Sequence, residues 1–332
     1  MTGAQATTFV TCIEPGALEP MTLRLLESIR RHGGRFADSR FIACQPRLGP
    51  PLSERTRDRL REMGAEHVWL YQPRRFDWYH YLNKAESLLR LNDRIQTDWV
   101  TFLDSDMLVA REPNEFVADD VDFIACAPDT GLVGSTGASH PMDTAWLRYI
   151  EAVGLRPDEV PMIREYNTGS MIRFYFNSGA FSYRRSTNFA LTYWNTVRDA
   201  LKKNLGFPQY GEHYTDQVVL GLCALKMKLR WRELPMEYNL AVDRDAEQLP
   251  DEQLRSAILL HYHKALERDP KALFDRLRET HPALADWLTP LGPLADPRNP
   301  LAKASCEALR ITRGVPRAIY RRRVALEFGK AG

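Results

Sequence analysis

Short apolar runs alternate with stretches of three-to-four-residue hydrophobic period through the first hundred positions, a pattern that predicts βα units and a largely parallel sheet. The runs Thr8 to Ile13, Arg40 to Cys44, His67 to Tyr71 and Trp99 to Leu103 read as strands. Between them, Met21 to His32 carries Leu23, Leu26 and Ile29 on one face and stops at Gly33-Gly34, and Ser53 serves as N-cap of a helix running to Met63. A third helix spans Leu82 to Leu91. Further on, Asp122 to Ala127, Phe174 to Tyr183, Leu229 to Leu234 and Ala257 to His261 read as strands. Asp143 to Val153, Asn188 to Leu201 and Asp216 to Ala224 read as helices, with a Gly/Ser/Thr-rich loop from Gly131 to Ser139. In open α/β sheets ligands bind beyond the carboxyl ends of the strands, so residues there come first in a search for chemistry.

Composition narrows the class. At 332 residues with 44% hydrophobic and 27% charged positions, the chain is long enough for a substantial core and a deep pocket. No apolar run approaches the ~20 residues of a membrane span, and Met1 to Ala6 lacks the pattern of a secretory signal, so the expected location is cytoplasmic. Five scattered cysteines without a C-x-x-C pair point to isolated thiols, not a disulfide framework or a zinc ribbon. The net charge of +2 is uneven: Leu301 to Gly332 holds eight basic and two acidic residues. This argues against a uniformly basic nucleic-acid binder and leaves a basic tail suited either to a peripheral contact with an anionic membrane or to packing on the body. Five prolines between Pro282 and Pro300 read as a linker-like connection before that tail.

The chemistry gathers at strand ends. Trp99-Val-Thr-Phe-Leu-Asp-Ser-Asp106 sets Asp104 and Asp106, with Ser105 between them, directly after an apolar strand, a pattern suited to a hard divalent cation and a diphosphate. Asp-x-Asp recurs at Asp120/Asp122 and Asp243/Asp245, but only the first follows a strongly apolar strand. His261 and His263 follow another apolar run, ahead of Lys264. An imidazole joining the carboxylates favours Mn²⁺ over Mg²⁺, whereas the two histidines together would make a hydrolase-type metal pair. Phe176-Asn-Ser-Gly179 puts a glycine and an amide in a strand-like run, which implies close approach of a ligand or another backbone. Asp216-Gln217 opens a helix, and Lys84 lies in the first turn of another.

Asn83-Lys84, Phe102-Leu-Asp-Ser-Asp-Met-Leu-Val109, Ala125-Cys-Ala-Pro-Asp129, Phe176-Asn-Ser-Gly179, Asp216-Gln217, Leu234-Pro-x-x-Tyr-Asn239 and His261-Tyr-His-Lys264 occur in an order that resembles the family 8 glycosyltransferases, the glycogenin and lipopolysaccharide galactosyltransferase type. The resemblance spans about Phe9 to Lys264. It implies a GT-A nucleotide-diphospho-sugar transferase fold: an α/β protein with a mixed, mostly parallel sheet flanked by helices and a C-terminal helical extension. The donor half would be about 1–128, the acceptor and catalytic half about 129–280, and the proline-rich connection and tail 281–332. By resemblance Asp104, Asp106 and His261 bind Mn²⁺ (or Mg²⁺), Lys84 and Ser105 contact the donor, and Lys264 meets the diphosphate. Asp129, Asn177, Asp216 and Gln217 surround the donor sugar, the donor is a UDP-sugar, and transfer retains the anomeric configuration. The family usually has a longer glycine-containing turn and a Lys-Pro-Trp after its metal histidine, both missing here. The acceptor, whether glycan, lipid-linked sugar, protein or small molecule, is expected to meet the segment between Asp129 and Phe174, with Trp146, Tyr149, Arg164, Tyr166 and Asn167.

Three other classes fit less well. A sugar nucleotidyltransferase would carry a glycine-rich basic loop after the first strand, where this chain has Glu14-Pro-Gly-Ala-Leu-Glu-Pro20. A haloacid-dehalogenase-like phosphatase wants its Asp-x-Asp early, followed by Thr or Val where Leu108 stands. A non-catalytic nucleotide-sugar or glycan-binding module would not need the intact Asp104, Asp106 and His261 set.

Overall fold

The computed structural model describes residues 7–70, 75–128, 131–242, 249–267 and 270–329. The first hundred positions fold as their periodicity predicts: β1 (Thr7–Cys12), α1 (Leu18–His32), β2 (Phe41–Gln45), α2 (Glu54–Glu62), β3 (Glu66–Trp69), α3 (Leu82–Leu91) and β4 (Trp99–Leu103). Ser53 caps α2, its hydroxyl accepting from the Thr56 amide at 3.2 Å. Then come β5 (Met107–Val109), β6 (Phe123–Cys126), α4 (Asp143–Val153), the hairpin β7 (Met162–Arg164) and β8 (Met171–Arg173), β9 (Ala180–Arg184), α5 (Phe189–Lys202) and α6 (Thr215–Lys226). The remaining elements are β10 (Trp231–Leu234), β11 (Leu240–Ala241), α7 (Asp251–Ser256), β12 (Leu259–His261), α8 (Lys271–Thr280), α9 (Pro282–Leu288) and α10 (Pro300–Gly329).

Seven strands form the main sheet in the order β10-β6-β9-β4-β1-β2-β3. All neighbours are parallel except β9, which runs antiparallel to both β4 and β6. A second sheet, β11-β12-β5, lies at the carboxyl end of β4. Successive residues of β1 and β2 enter opposite layers: Val10 and Ile42 pack with α3, α5 and α6, while Phe9, Phe41 and Ala43 pack with α1 and α2. Within the central strands, the Thr101 hydroxyl lies 2.8 Å from Thr7 and 2.8 Å from Ser182, so these buried polar groups satisfy one another. This is the α/β, GT-A-type architecture that the sequence implied, helical extension included.

Two expectations are corrected, and the tail takes the packed form that the sequence left open. The apolar run from Phe174 to Tyr183 is a strand only from Ala180, because the Gly179 carbonyl takes the Asp104 amide (2.7 Å) and the Gly179 amide donates to the Asn177 side chain (2.8 Å). The proline-rich connection is partly helical, since Pro282 opens α9 at its first position, where no amide is needed. The basic tail is one long helix docked on the body. Tyr320 and Val324 are buried, Trp78 and Tyr320 rings lie 4.8 Å apart, and Arg313 pairs with Asp77 at 2.5 Å. Arg317 (2.6 Å) and Arg321 (3.0 Å) converge on the fully buried Glu212. Among the described residues no helix is long and apolar enough to cross a membrane.

Candidate active site

The turn after β4 and the end of β12 bring three ligand-bearing groups together. The β12–β5 pairing sets His261 opposite Met107, next to Asp106. As a result Asp104, Asp106 and His261 each offer one ligand atom within 4.8 Å of the others, the sole such group among the described residues. His261 Nε2 lies 3.3 Å from Asp106 Oδ1, and Nδ1 lies 2.9 Å from the Asn239 side-chain oxygen. That oxygen can only accept, so Nδ1 carries a proton; Nε2, which donates to Asp106 and is held protonated by it against the effect of burial, is the nitrogen a metal would take once that proton is lost. Burial raises the Asp104 carboxyl above the usual range and the nearby Asp106 adds to this, while Lys84 opposes it. Asp106 goes the other way: burial would raise it, but His261 outweighs that and holds it low. A site of this kind, with carboxylates crowded out of water, is relieved by a cation.

Lys84, projecting from α3, supplies a fixed positive charge. Its ammonium sits 3.0 Å from Asp104 Oδ2, 2.8 Å from Ser178 Oγ, 3.1 Å from the Ser178 carbonyl and 3.7 Å from Asp216 Oδ2. Burial works against the charge, but Asp104 and Asp216 more than offset it, so the amine stays protonated. Gly179 stands in tight quarters: a Cβ there would come within 3.2 Å of the His261 ring, 3.2 Å of Met107 and 3.0 Å of the Asn177 oxygen, so these neighbours would have to give way.

Around this centre opens a cavity of about 590 Å³. Lys84, Asp104, Ser105, Asp106, Asn177, Gln217 and His261 all line it, as the sequence implied. Asp216 does not. It is 1% exposed, accepts hydrogen bonds from Ser178 (2.7 Å) and Tyr79 (3.2 Å), and lies behind Lys84 as its counter-charge. Lys264 is also outside the wall, since the left-handed backbone of His263 (φ 44°) turns the chain and leaves Lys264 exposed. Asp129 lies outside the described residues, as does the Asp243/Asp245 pair. Asp120 and Asp122 are tied to Arg232 and Arg230 in ion pairs of 2.6 and 2.8 Å. His263 does line the cavity, but its ring stacks on that of His261 at 3.9 Å and does not join the ligand group.

The expected acceptor segment is corrected as well. Trp146 and Tyr149 are core: the indole donates to the Val133 carbonyl (2.6 Å) and the phenol lies 2.6 Å from the Thr215 hydroxyl. Arg164, Tyr166 and Asn167 are not in the cavity wall, to which this stretch contributes Leu132 alone among its described residues. The other wall residues were not foreseen. Glu14 follows β1 and Arg47 follows β2, so the strand-end rule had pointed at them. His80 and Tyr81 precede α3, and His213 and Tyr214 precede α6. Their rings interlock, Tyr81 and His213 meeting edge to face at 5.1 Å, and no spacing in the sequence signals that meeting.

With this geometry in hand, the comparisons with known proteins can be placed. A model described as the Rhodobacterales glycosyltransferase domain matches residues 9–228. No curated protein matches the chain. Among solved structures it is similar to the WbbM bifunctional glycosyltransferase in its apo form, at 14% identity and a TM-score of 0.47, over 78% of this chain and 46% of that one. It is likewise similar to the glycosyltransferase GlyE of Streptococcus pneumoniae TIGR4, at 15% identity and a TM-score of 0.47, over 89% of this chain and 66% of that one. The chain therefore spans only part of the length of both.

Proposed function

Because the chain belongs to the Rhodobacterales glycosyltransferase domain family, whose model covers residues 9–228, we propose that it moves a sugar from a nucleoside diphosphate sugar to an acceptor hydroxyl in the cavity of Asp104, Asp106 and His261. The observation that carries this reading is the convergence of two carboxylates and one imidazole beside a buried lysine, beyond the end of an apolar strand. Asp104, Asp106 and His261 would hold a divalent cation, Mn²⁺ in preference to Mg²⁺ because one donor is an imidazole. When bound, that ion supplies Lewis-acid stabilisation of a departing diphosphate. Lys84 is fixed in place to stabilise the same developing negative charge, and needs no reorganisation to do so. Asn177 and Gln217, which line the same cavity, would present amides to the sugar.

The motif order supports the finer assignment to family 8, a UDP-sugar donor and retention of the anomeric configuration. Gln217 is a poor nucleophile and Asp216 is buried behind Lys84, so same-face attack guided by the leaving phosphate is the better-supported route than a covalent enzyme intermediate using either residue. Titration calorimetry tests the core of the proposal. UDP is expected to bind with Mn²⁺, to lose at least tenfold affinity in chelator, and to do the same in Asp106→Ala. Undiminished binding in chelator would reject it, and binding of UDP-sugars without any turnover of a donor panel would reassign the protein to a non-catalytic binding module.

The peripheral membrane contact has its own support on the outward side of α10. Ile311, Val315, Ile319 and Leu326, each at least half exposed, follow one another at spacings that keep them on one face, beside the exposed Arg322 and Arg323. Full-length protein should sediment with anionic vesicles at low salt and not with neutral ones. An Ile311→Ser/Val315→Ser/Ile319→Ser variant should stay in solution, and equal sedimentation of the two would dismiss the contact.

A further inference from the structure

A second cavity of about 380 Å³ lies beside the first, sharing Glu14, Arg47 and His80 with it. Its floor is the carboxyl ends of β1 and β2 and its roof is α10. Five arginines line it, Arg47, Arg298, Arg310, Arg313 and Arg317, against Glu14 as the one carboxylate of the wall. Arg47 and Arg313 are largely buried, at 15% and 16% exposed, Arg298 and Arg317 are partly so, and Arg310 is exposed at the rim. Each of the five but Arg47 is anchored by a carboxylate outside the wall. Arg298 is held by Asp296 at 2.9 Å and Arg310 by Glu307 at 2.5 Å. Arg313 is held by Asp77 at 2.5 Å and Arg317 by Glu212 at 2.6 Å. Arg47 is fixed by Glu14 through two parallel contacts.

Guanidiniums carry five N–H donors each, and these anchors use two of them in Arg298 and Arg310 and one in Arg317. Donors are thus left over on groups already held in position, inside a concave space whose wall carries five guanidiniums and one carboxylate. That arrangement favours an anion with several acceptor oxygens, and phosphate matches the planar fork of arginine. A neutral ring or an apolar chain would leave the same donors without a use.

We propose that this recess binds a phosphate-type anion belonging to a ligand that continues from the metal-ligand cavity. The recess extends the sugar-transfer reading, yet its charge and geometry stand without a metal. The donor's diphosphate is assigned to the Asp104/Asp106/His261 group and Lys84, so the anion of the recess is one carried by the acceptor.

Inorganic pyrophosphate is the probe, titrated calorimetrically into the full chain in chelator. The Asp104/Asp106 cavity also holds Lys84 and shares Arg47, so the variants below separate binding there from binding in the recess. Pyrophosphate is expected to bind the wild type, and Arg298→Gln/Arg310→Gln is expected to raise its Kd at least tenfold. The partners freed by that variant, Asp296 and Glu307, are partly to well exposed, so an unchanged melting temperature should accompany the loss. Asp104→Asn should bind pyrophosphate at least as tightly as the wild type. A second titration, on protein saturated with UDP and Mn²⁺, should still show pyrophosphate binding; occlusion would make the recess part of the donor's own phosphate site and overturn the proposal. No pyrophosphate binding, an unchanged Kd in the double variant, or displacement of pyrophosphate by uridine alone would overturn the proposal. Failure of UDP to bind with Mn²⁺ would instead count against the sugar-transfer reading and leave the metal-free titration standing.

Discussion

Replacing Asp216 by Asn separates a supporting carboxylate from a reacting one. Its Oδ2 lies 3.7 Å from the Lys84 ammonium, and the side chains of the pair are 2% and 7% exposed. At that distance two unit charges attract by about 4 kcal/mol at an effective dielectric of ~20. Asparagine keeps the shape, but its one acceptor oxygen can hold the bond from Ser178 or that from Tyr79 and not both, and it leaves Lys84 with Asp104 as its single counter-charge. Breaking a buried pair on one side costs about 3 to 5 kcal/mol, and the remaining Asp104 contact at 3.0 Å places this case at the lower end, about 3 kcal/mol. Urea denaturation should show that loss for Asp216→Asn and less than about 0.5 kcal/mol for Gln217→Ala. Asp216→Asn should also weaken nucleotide binding, because the lysine is no longer held where the diphosphate arrives. A variant as stable as the wild type, binding UDP normally and turning over a hundredfold more slowly, would refute this and restore Asp216 to direct contact with the anomeric centre.

Gln217→Ala, by contrast, should lower kcat with little change in donor affinity, and NMR of the product should report a retained anomer; an inverted one would end the family 8 reading of mechanism. Asn239→Ala should weaken Mn²⁺ binding about 10- to 100-fold without removing a ligand, since the amide oxygen selects the His261 tautomer, and equal affinity would make Asn239 a packing residue only. Burial alone would raise the Glu212 carboxyl, but hydrogen bonds from Arg321 and Arg317 outweigh it and hold it below its ordinary value. The docking of α10 is therefore fully stabilised above the ordinary carboxyl pKa of ~4.5 and weakens as pH falls through the lowered one. Proteolysis within 300–329 should accelerate there in the wild type, and already at neutral pH in Glu212→Gln; a protease pattern independent of both would show that the ion pairs do not hold the helix.

What the sequence disclosed and what it hid follow one physical line. Asp104, Asp106 and Gly179 were legible because strand ends and glycines in apolar runs are local signals, and the local signal coincides with the function. Depth is not local. Asp216 and Gln217 are neighbours in sequence, yet one turns into the core and the other into the cavity, because only the first is met by Ser178 and Tyr79. Trp146 and Tyr149 looked like acceptor contacts for the same reason: nothing in their own segment tells that Val133 and Thr215 already occupy their polar atoms. The tail misled in another way. Its arginines read as solvated until Glu212 and Asp77 were found beneath them, more than a hundred residues away in sequence.

The antiparallel insertion of β9 between β4 and β6 has an evolutionary consequence. Five residue pairs from Trp99–Arg184 to Leu103–Ala180 fix where Gly179 and Ser178 stand relative to Asp104. A one-residue slip would turn Phe102 and Phe181 out of the same core layer, so that register is strongly held. The chain between Gly131 and Arg173 is then suspended from two fixed points, β6 at one end and β9 at the other. It can lengthen, shorten or exchange its hairpin without moving the metal-ligand group or Lys84. The β7–β8 hairpin can diverge while the group of Asp104, Asp106 and His261 is inherited unchanged.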